Sequence, residues 1–124
     1  MDKDKKIFIA DDDPDILEIL SLMLRFNKYY VQASVNANDI FKKQEDLPDL
    51  ILLDISMSGL DGREICKRLK QDKLTKKIPV IFVSANSNIE EITHRYKAQG
   101  FIAKPFEMKE LLKEIDAVLQ KSAN

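Results

Sequence analysis

Residues 7–16 read IFIADDDPDI, where strand-like sequence runs directly into three aspartates, a proline and a fourth aspartate. The apolar run KIFIA (6–10) is continuous and rich in β formers, as expected of a strand covered on both faces. Pro14 suits the first turn of a helix, and Asp13 is placed to cap it. Three like charges at a strand tip need an explanation. Neighbouring carboxylates repel, and each raises the pKa of the next unless positive charge lies among them. A cation is the simplest explanation, and it requires further ligands from elsewhere in the chain.

The same alternation continues outward from this stretch. Through 14–27 the residues Ile16, Ile19, Leu20, Met23 and Phe26 recur at helical spacing, and YYVQASV (29–35) reads as the next strand. ANDIFKKQE (37–45) predicts a short helix, and PDLILLD (48–54) is the most hydrophobic strand, hence central. GREICKRLKQ (62–71) reads as a helix, IPVIFVSA (78–85) as a strand, and NIEEITHRYKAQ (88–99) as a helix ended by Gly100 as a left-handed cap. FIAK (101–104) is a short strand, and MKELLKEIDAVLQK (108–121) an amphipathic helix. Five strands alternating with five helices predict an α/β fold, a parallel sheet with helices on both faces. For five such units the expected architecture is a flavodoxin-like (βα)5 three-layer sandwich with strand order 2-1-3-4-5.

Bulk properties are consistent with this and exclude several classes. The 124 residues suit one domain, residues 1–124, and 44% hydrophobic with 33% charged residues describes a soluble globular chain. Twenty basic against 21 acidic side chains leave a net charge of −1, which gives no support for direct binding to nucleic acid. The locally basic KRLKQDKLTKK (67–77) reads as a solvated helix face and loop. Cys66, the single cysteine, lies beside Ile65 and Leu69 and reads as a buried helix residue. His94, the single histidine, reads as a helix surface residue, and nothing ties the two into a catalytic pair. MDKDKKI (1–7) carries no signal-peptide pattern, and no apolar run reaches membrane-spanning length, so a cytoplasmic location without membrane insertion is expected.

In an open parallel sheet, sites form beyond the carboxyl ends of the strands where strand order reverses. Under the predicted order that point lies between the first and third strands, which end in Asp11, Asp12 and Asp13 and in Asp54. The two strands beyond end in Ser84 and Lys104. Hard carboxylate oxygens suit Mg²⁺, which retains several waters and completes its shell with phosphate oxygen. Zn²⁺ would ask for histidine or cysteine, and Ca²⁺ for more ligands. An aspartate can accept a phosphoryl group, a lysine ammonium can meet a second phosphoryl oxygen, and a serine hydroxyl can donate to a third. Asp13 reads as a cap or a supporting group.

With ADDD (10–13), PDLILLDISMSGLDG (48–62), VIFVSA (80–85) and GFIAKPF (100–106) in this order and spacing, the chain resembles the CheY-like receiver domain of two-component response regulators along nearly its whole length. The resemblance implies a phosphoprotein of signal transduction with Asp54 as phosphoacceptor. Mg²⁺ would be held by Asp11 (largely through water), Asp12, Asp54 and the Ser56 backbone carbonyl. Ser84 and Lys104 would contact the phosphoryl group, and the Lys104–Pro105 peptide would be cis, a state accessible essentially only before proline. Ser84 and Phe101 would form the switch, read by partners on the face made by residues 88–99, 101–104 and 108–121. Phe101 lacks the hydroxyl of the frequent tyrosine and reads equally as a core residue. Ser56 and Asn86 would tune phosphoryl lifetime. Ser58, followed by Gly59, departs from the proline usual four residues after the acceptor and predicts a less rigid loop. The implied donor is a histidine kinase or histidine phosphotransfer protein, within a phosphorelay or as a stand-alone, diffusible regulator. No external substrate is implied, only catalysis of the protein's own phosphorylation and dephosphorylation.

Three other readings bear on the same residues. A phosphohydrolase with an aspartate nucleophile predicts an acid/base aspartate at position 56, which is serine. An FMN binder predicts a Ser/Thr/Gly-rich phosphate loop where DDDPD stands. A receiver-shaped interaction scaffold working without phosphorylation has no need for the full set of site residues. The first helix, with Leu17, Leu22 and Leu24 added to its stripe, is apolar over most of its girth. That breadth fits either a docking face for the phosphodonor or a wide buried face.

Overall fold

The computed structural model describes residues 5–42, 45–57 and 59–122. Along the chain these form β1 Lys6–Ala10, α1 Pro14–Phe26, β2 Tyr30–Ser34, a 3-10 helix Ala37–Lys42, β3 Leu50–Asp54, β4 Ser56–Met57, β5 Leu60–Asp61, α2 Gly62–Gln71, β6 Val80–Ser84, α3 Ile89–Arg95, β7 Gly100–Ala103 and α4 Met108–Ser122. Five strands make one parallel sheet in the order β2-β1-β3-β6-β7. With the small β4–β5 ribbon set aside, this is the predicted 2-1-3-4-5 order. β3 and β6 are buried at every position, as their unbroken apolar sequence requires, whereas the edge strand β2 is buried at none.

Period-two alternation sorts the strand residues onto the two faces. Phe8, Ile51, Leu53 and Phe82 pack with Ile65, Cys66 and Leu69 of α2 and with Ile89 and Ile92 of α3. Ile7, Ile9, Leu52 and Ile81 pack with Leu17, Leu20 and Leu24 of α1 and with Leu111 and Ile115 of α4. The result is the three-layer α/β sandwich. Cys66 is fully buried, and burial pushes its thiol up to about 11, so it behaves as a small apolar residue. His94 is exposed on α3.

Four local features depart from the periodicity of the sequence or go beyond it. First, α1 buries Leu17, Leu20, Ser21 and Leu24; of the predicted stripe Leu20 is buried and Ile16 packs partly on the core, whereas Ile19 (59% exposed), Met23 and Phe26 (83% exposed) face away from the sheet. Two apolar stripes at helical spacing coexist on this helix, and packing selects the one that meets the sheet. Second, the 37–45 segment is a 3-10 helix of six residues, 37–42, with Lys43 and Gln44 outside the described residues. The Asn36 side chain accepts from the Asn38 N–H (3.0 Å), a local bond that competes with regular helix here. Third, the chain after Asp54 folds back as the β4–β5 ribbon, with Gly59 at φ +72° in its turn. Ser58, where a less rigid loop was expected, lies outside the described residues.

Fourth, α3 ends at Arg95, and Gly100 opens β7 rather than capping a helix. The left-handed residue is Lys97 (φ 62°). The Lys97 N–H bonds the His94 carbonyl (3.3 Å) and the Ala98 N–H the Thr93 carbonyl (3.0 Å), the paired bonds of a Schellman cap. Lys28 ends α1 in the same way at φ 72°. A left-handed conformation costs a residue with a Cβ about 1–2 kcal/mol, and glycine returns about 0.5–1 of that as unfolded-state entropy. Lys97→Gly is therefore expected to raise stability by about 0.5–1 kcal/mol, measured by urea unfolding; a destabilised variant would mean that the lysine side chain, not the backbone, fixes this cap. Gly100 answers a different need: a Cβ there would press on the Glu114 carboxylate and on Val118 of α4.

Candidate functional site

Each side chain of the site is delivered by the carboxyl end of a strand. Asp11 follows β1 and is buried; its carboxylate accepts from the Asp13 N–H (3.0 Å), which folds the DDD stretch back on itself. Asp13 accepts in turn from the Asp15 N–H (3.0 Å) and is the N-cap of α1, with Pro14 in the first turn as anticipated. Asp54 ends β3, is buried, and accepts from the Ser56 N–H (3.2 Å). Lys104 follows β7 and extends its ammonium to within 3.2 Å of Asp11 Oδ2 and 3.7 Å of Asp54 Oδ2. Asp11, Asp12 and Asp54 each present a carboxylate oxygen, all within 4.8 Å of one another.

Electrostatics follow from this packing. Burial pushes the Asp54 carboxyl up to about 6; Lys104 pulls it down, Asp11 and Asp12 push it further up, and the Ser56 N–H opposes them. Three carboxylates face one ammonium among the described residues of this cluster, an excess of two negative charges that one divalent cation would neutralise. With oxygen donors alone and no nitrogen or sulfur, the cluster fits Mg²⁺.

The remaining predicted residues sit around this core in different ways. Ser84, buried at the end of β6, has its Oγ accepting from the Asn86 N–H (3.1 Å), while its carbonyl accepts from the Lys104 N–H (2.9 Å). Asn86 turns its side chain to the Asn88 N–H (2.8 Å), within the turn that enters α3. Ser56 is exposed beside Asp54. Phe101, half-buried, packs on the core cluster beneath α2 and α3 and lies opposite Phe82 in register. The Lys104–Pro105 peptide is cis.

Two contributors were not found by reading the sequence for chemistry. Asp61 caps α2 through the Arg63 N–H (2.9 Å) and is held as well by the Arg63 guanidinium, whose hydrogen bonds lower its pKa. Gly62 donates its N–H to the Ile55 carbonyl (2.7 Å), which places the start of α2 directly on the backbone that carries Asp54. An aspartate ahead of an amphipathic run was the available signal for the cap. The close backbone approach has no signal at the level of one sequence.

The chain is similar to known proteins. Residues 7–116 match the family model of the response regulator receiver domain. The nisin biosynthesis regulatory protein NisR of Lactococcus lactis subsp. lactis is 39% identical over 121 residues, covering 94% of this chain and 51% of that protein. The alkaline phosphatase synthesis transcriptional regulatory protein PhoP of Bacillus subtilis is 32% identical, covering 95% of this chain and 50% of that protein. The chain thus spans about half the length of these curated relatives. Among solved structures, the response regulator TrrA of Thermotoga maritima, in complex with Mg²⁺–BeF, superposes with a TM-score of 0.81 at 28% identity, covering 92% of this chain and 98% of that one. With residues 7–116 matching the family model and the parallel five-stranded sheet as its framework, the chain belongs to the response regulator receiver domain family.

Proposed function

We propose that this chain accepts a phosphoryl group on Asp54 from a phosphohistidine donor, with Mg²⁺ held by Asp11, Asp12, Asp54 and the Ser56 carbonyl. The observation that carries the proposal is the pairing of a buried carboxylate with a lysine 3.7 Å away inside a cluster of acidic oxygens. Burial pushes the metal-free Asp54 carboxyl up to about 6, so near neutral pH it is ionised and nucleophilic. In the transfer the N–P bond of the donor breaks, the Asp54 Oδ–P bond forms, and the imidazole nitrogen keeps the electron pair of the broken bond. The Lys104 ammonium is placed to meet a phosphoryl oxygen, and the Ser84 hydroxyl another. Bound Mg²⁺ supplies the remaining neutralisation of phosphoryl charge. The Mg²⁺–BeF complex of TrrA supports this use of the fold.

The same geometry supports a switch. A Ser84 hydroxyl recruited by the phosphoryl group gives up or shares its bond from the Asn86 N–H, 3.1 Å, at the entrance to α3. Asn86 beside it, and Ser56, set how water reaches the phosphoryl group. Phe101 then follows Ser84, and partners read the face formed by α3, β7 and α4 as a shift of population between two arrangements. For the donor, the outward stripe of α1 is the docking face: Ile16 and Ile19 line a groove of about 480 Å³ with Pro105, Phe106 and Met108, and the groove reaches Lys104 itself. A helical donor bringing its histidine to Asp54 would bury this stripe.

Intact mass after incubation with Mg²⁺ and acetyl phosphate tests the reading. One added phosphoryl group is expected, absent in Asp54→Asn and in excess chelator. No adduct under rapid sampling, or with a phosphorylated histidine donor, would leave a scaffold that works without phosphorylation. Continuous phosphate release far faster than any adduct forms would indicate a hydrolase.

A further inference from the structure

We propose that the cleft between the C-terminal ends of α2 and α3 binds an oligophosphate, free or as the phosphate chain of a nucleotide. It lies at the rim of the sheet opposite the aspartates, beside the first residue of β6, whose N–H bonds Gln99 Oε1 (2.8 Å). The cleft has a volume of about 340 Å³ and is lined, among the described residues, by Lys67, Lys70, Gln71, Arg95, Tyr96 and Lys97, none of them acidic. Its size falls at the small end of the range for small-molecule sites.

Two features distinguish this cleft from an ordinary basic surface. Lys70 is half-buried, and its ammonium donates to the Ile78 carbonyl and to Gln99 Oε1, both at 2.9 Å and both neutral. Burial lowers its pKa, and among the described residues these two bonds leave its third N–H for a ligand. Lys97 stands in a left-handed cap where glycine would be cheaper, so a cation occupies that corner at a conformational cost. Helix ends attract cations, and that effect alone must be weighed. Two C-termini supply about one negative charge between them, and Glu91, 3.8 Å from Arg95, supplies another. Four cations against these leave an excess of about two positive charges in a concave space. Three of the four are lysines, whose flexible point charges suit the scattered oxygens of a phosphate chain better than planar carboxylates. Tyr96, on the wall, offers part of a ring to a base.

The test is an amide-shift titration of the ¹⁵N-labelled protein with sodium tripolyphosphate and, separately, with ATP, in metal-free buffer at low salt. In chelator the acidic cluster repels both ligands, so the result does not depend on the phosphorylation chemistry at Asp54. Saturable shifts are expected at Lys67, Lys70, Gln71 and Arg95–Lys97, weakening as salt is raised. Lys67→Ala with Lys97→Gly should reduce affinity about tenfold, while Lys109→Ala with Lys113→Ala on α4 leaves it unchanged. Equal affinity for the two ligands identifies the free phosphate chain. Tighter ATP binding with a shift at the Tyr96 ring identifies a nucleotide. Absence of saturation, shifts spread equally over the lysines of α4, or a double variant that binds as well as the wild type would each overturn the proposal.

Discussion

Asp54→Asn is expected to stabilise the metal-free protein at about pH 7.5 by about 2–3 kcal/mol, with the gain vanishing near about pH 4. The buried carboxyl titrates at about 6 in the folded chain, against 3.8 when exposed. Its pKa is thus raised on folding, and the folded state holds its proton more tightly than the unfolded state does. Below the unfolded value both states are protonated and the group contributes nothing. The cost of burying the charge grows as pH rises from 3.8 to about 6 and is fully present above. Asparagine keeps the Oδ1 that accepts from the Ser56 N–H, and its uncharged Nδ2 takes the place of the Oδ2 that lies 3.7 Å from the Lys104 ammonium. Lys104 retains its nearer partner, Asp11 at 3.2 Å. Urea unfolding of both proteins in chelator across this pH range is the measurement. A gap that is absent at neutral pH, or the same size at both ends of the range, would show that burial of the Asp54 charge does not set the stability of this site.

The second large effect is expected at a residue with no side chain. A Cβ added to Gly62 would overlap the Asp54 carbonyl oxygen and lie 2.8 Å from Ile55 Cα, both backbone atoms that cannot rotate aside. Either α2 withdraws, breaking the 2.7 Å bond from Gly62 N–H to the Ile55 carbonyl, or the end of β3 shifts and takes Asp54 with it. Overpacking of this kind costs about 1–3 kcal/mol, and a helix gain of under about 1 kcal/mol from alanine offsets it only in part. Gly62→Ala is accordingly expected to lose about 2 kcal/mol by urea unfolding. On the proposed function it should also form the phosphorylated species about tenfold more slowly, because a small displacement of Asp54 is costly in rate. A variant of wild-type stability and wild-type phosphorylation rate would mean that the start of α2 is not tied to the end of β3 as the geometry has it.

These two residues mark how unevenly the molecule was legible in its sequence. Asp54 was visible because it ends the most hydrophobic run in the chain, and such a run can only be a central strand in an α/β sheet. Gly62 was not, because what matters there is the backbone of another segment, invisible to periodicity or composition. The same distinction runs through α1. Helical spacing identified an apolar helix, but Leu17 and Leu24 face the sheet whereas Ile19 and Phe26 face outward, and only packing chooses between two stripes of equal periodicity. α3 was overextended because glycine is the usual left-handed cap, and the chain places Lys97 there instead.

The alternation of strands and helices, the sheet order that follows from it, and the delivery of Asp11, Asp12, Asp54, Ser84 and Lys104 to one rim were legible in the order of residues alone. Those follow from local propensity and from the short list of ways in which parallel strands connect. Packing in three dimensions set how near Lys104 comes to each carboxylate, moved Asp54 up to about 6 by burial, and left Ile19 and Phe26 of α1 exposed. It also brought Lys67 and Lys70 of α2 against Arg95 and Lys97, which stand far apart along the chain. Distances, desolvation and the choice between equivalent faces depend on what every other segment occupies, and one-dimensional order carries none of that.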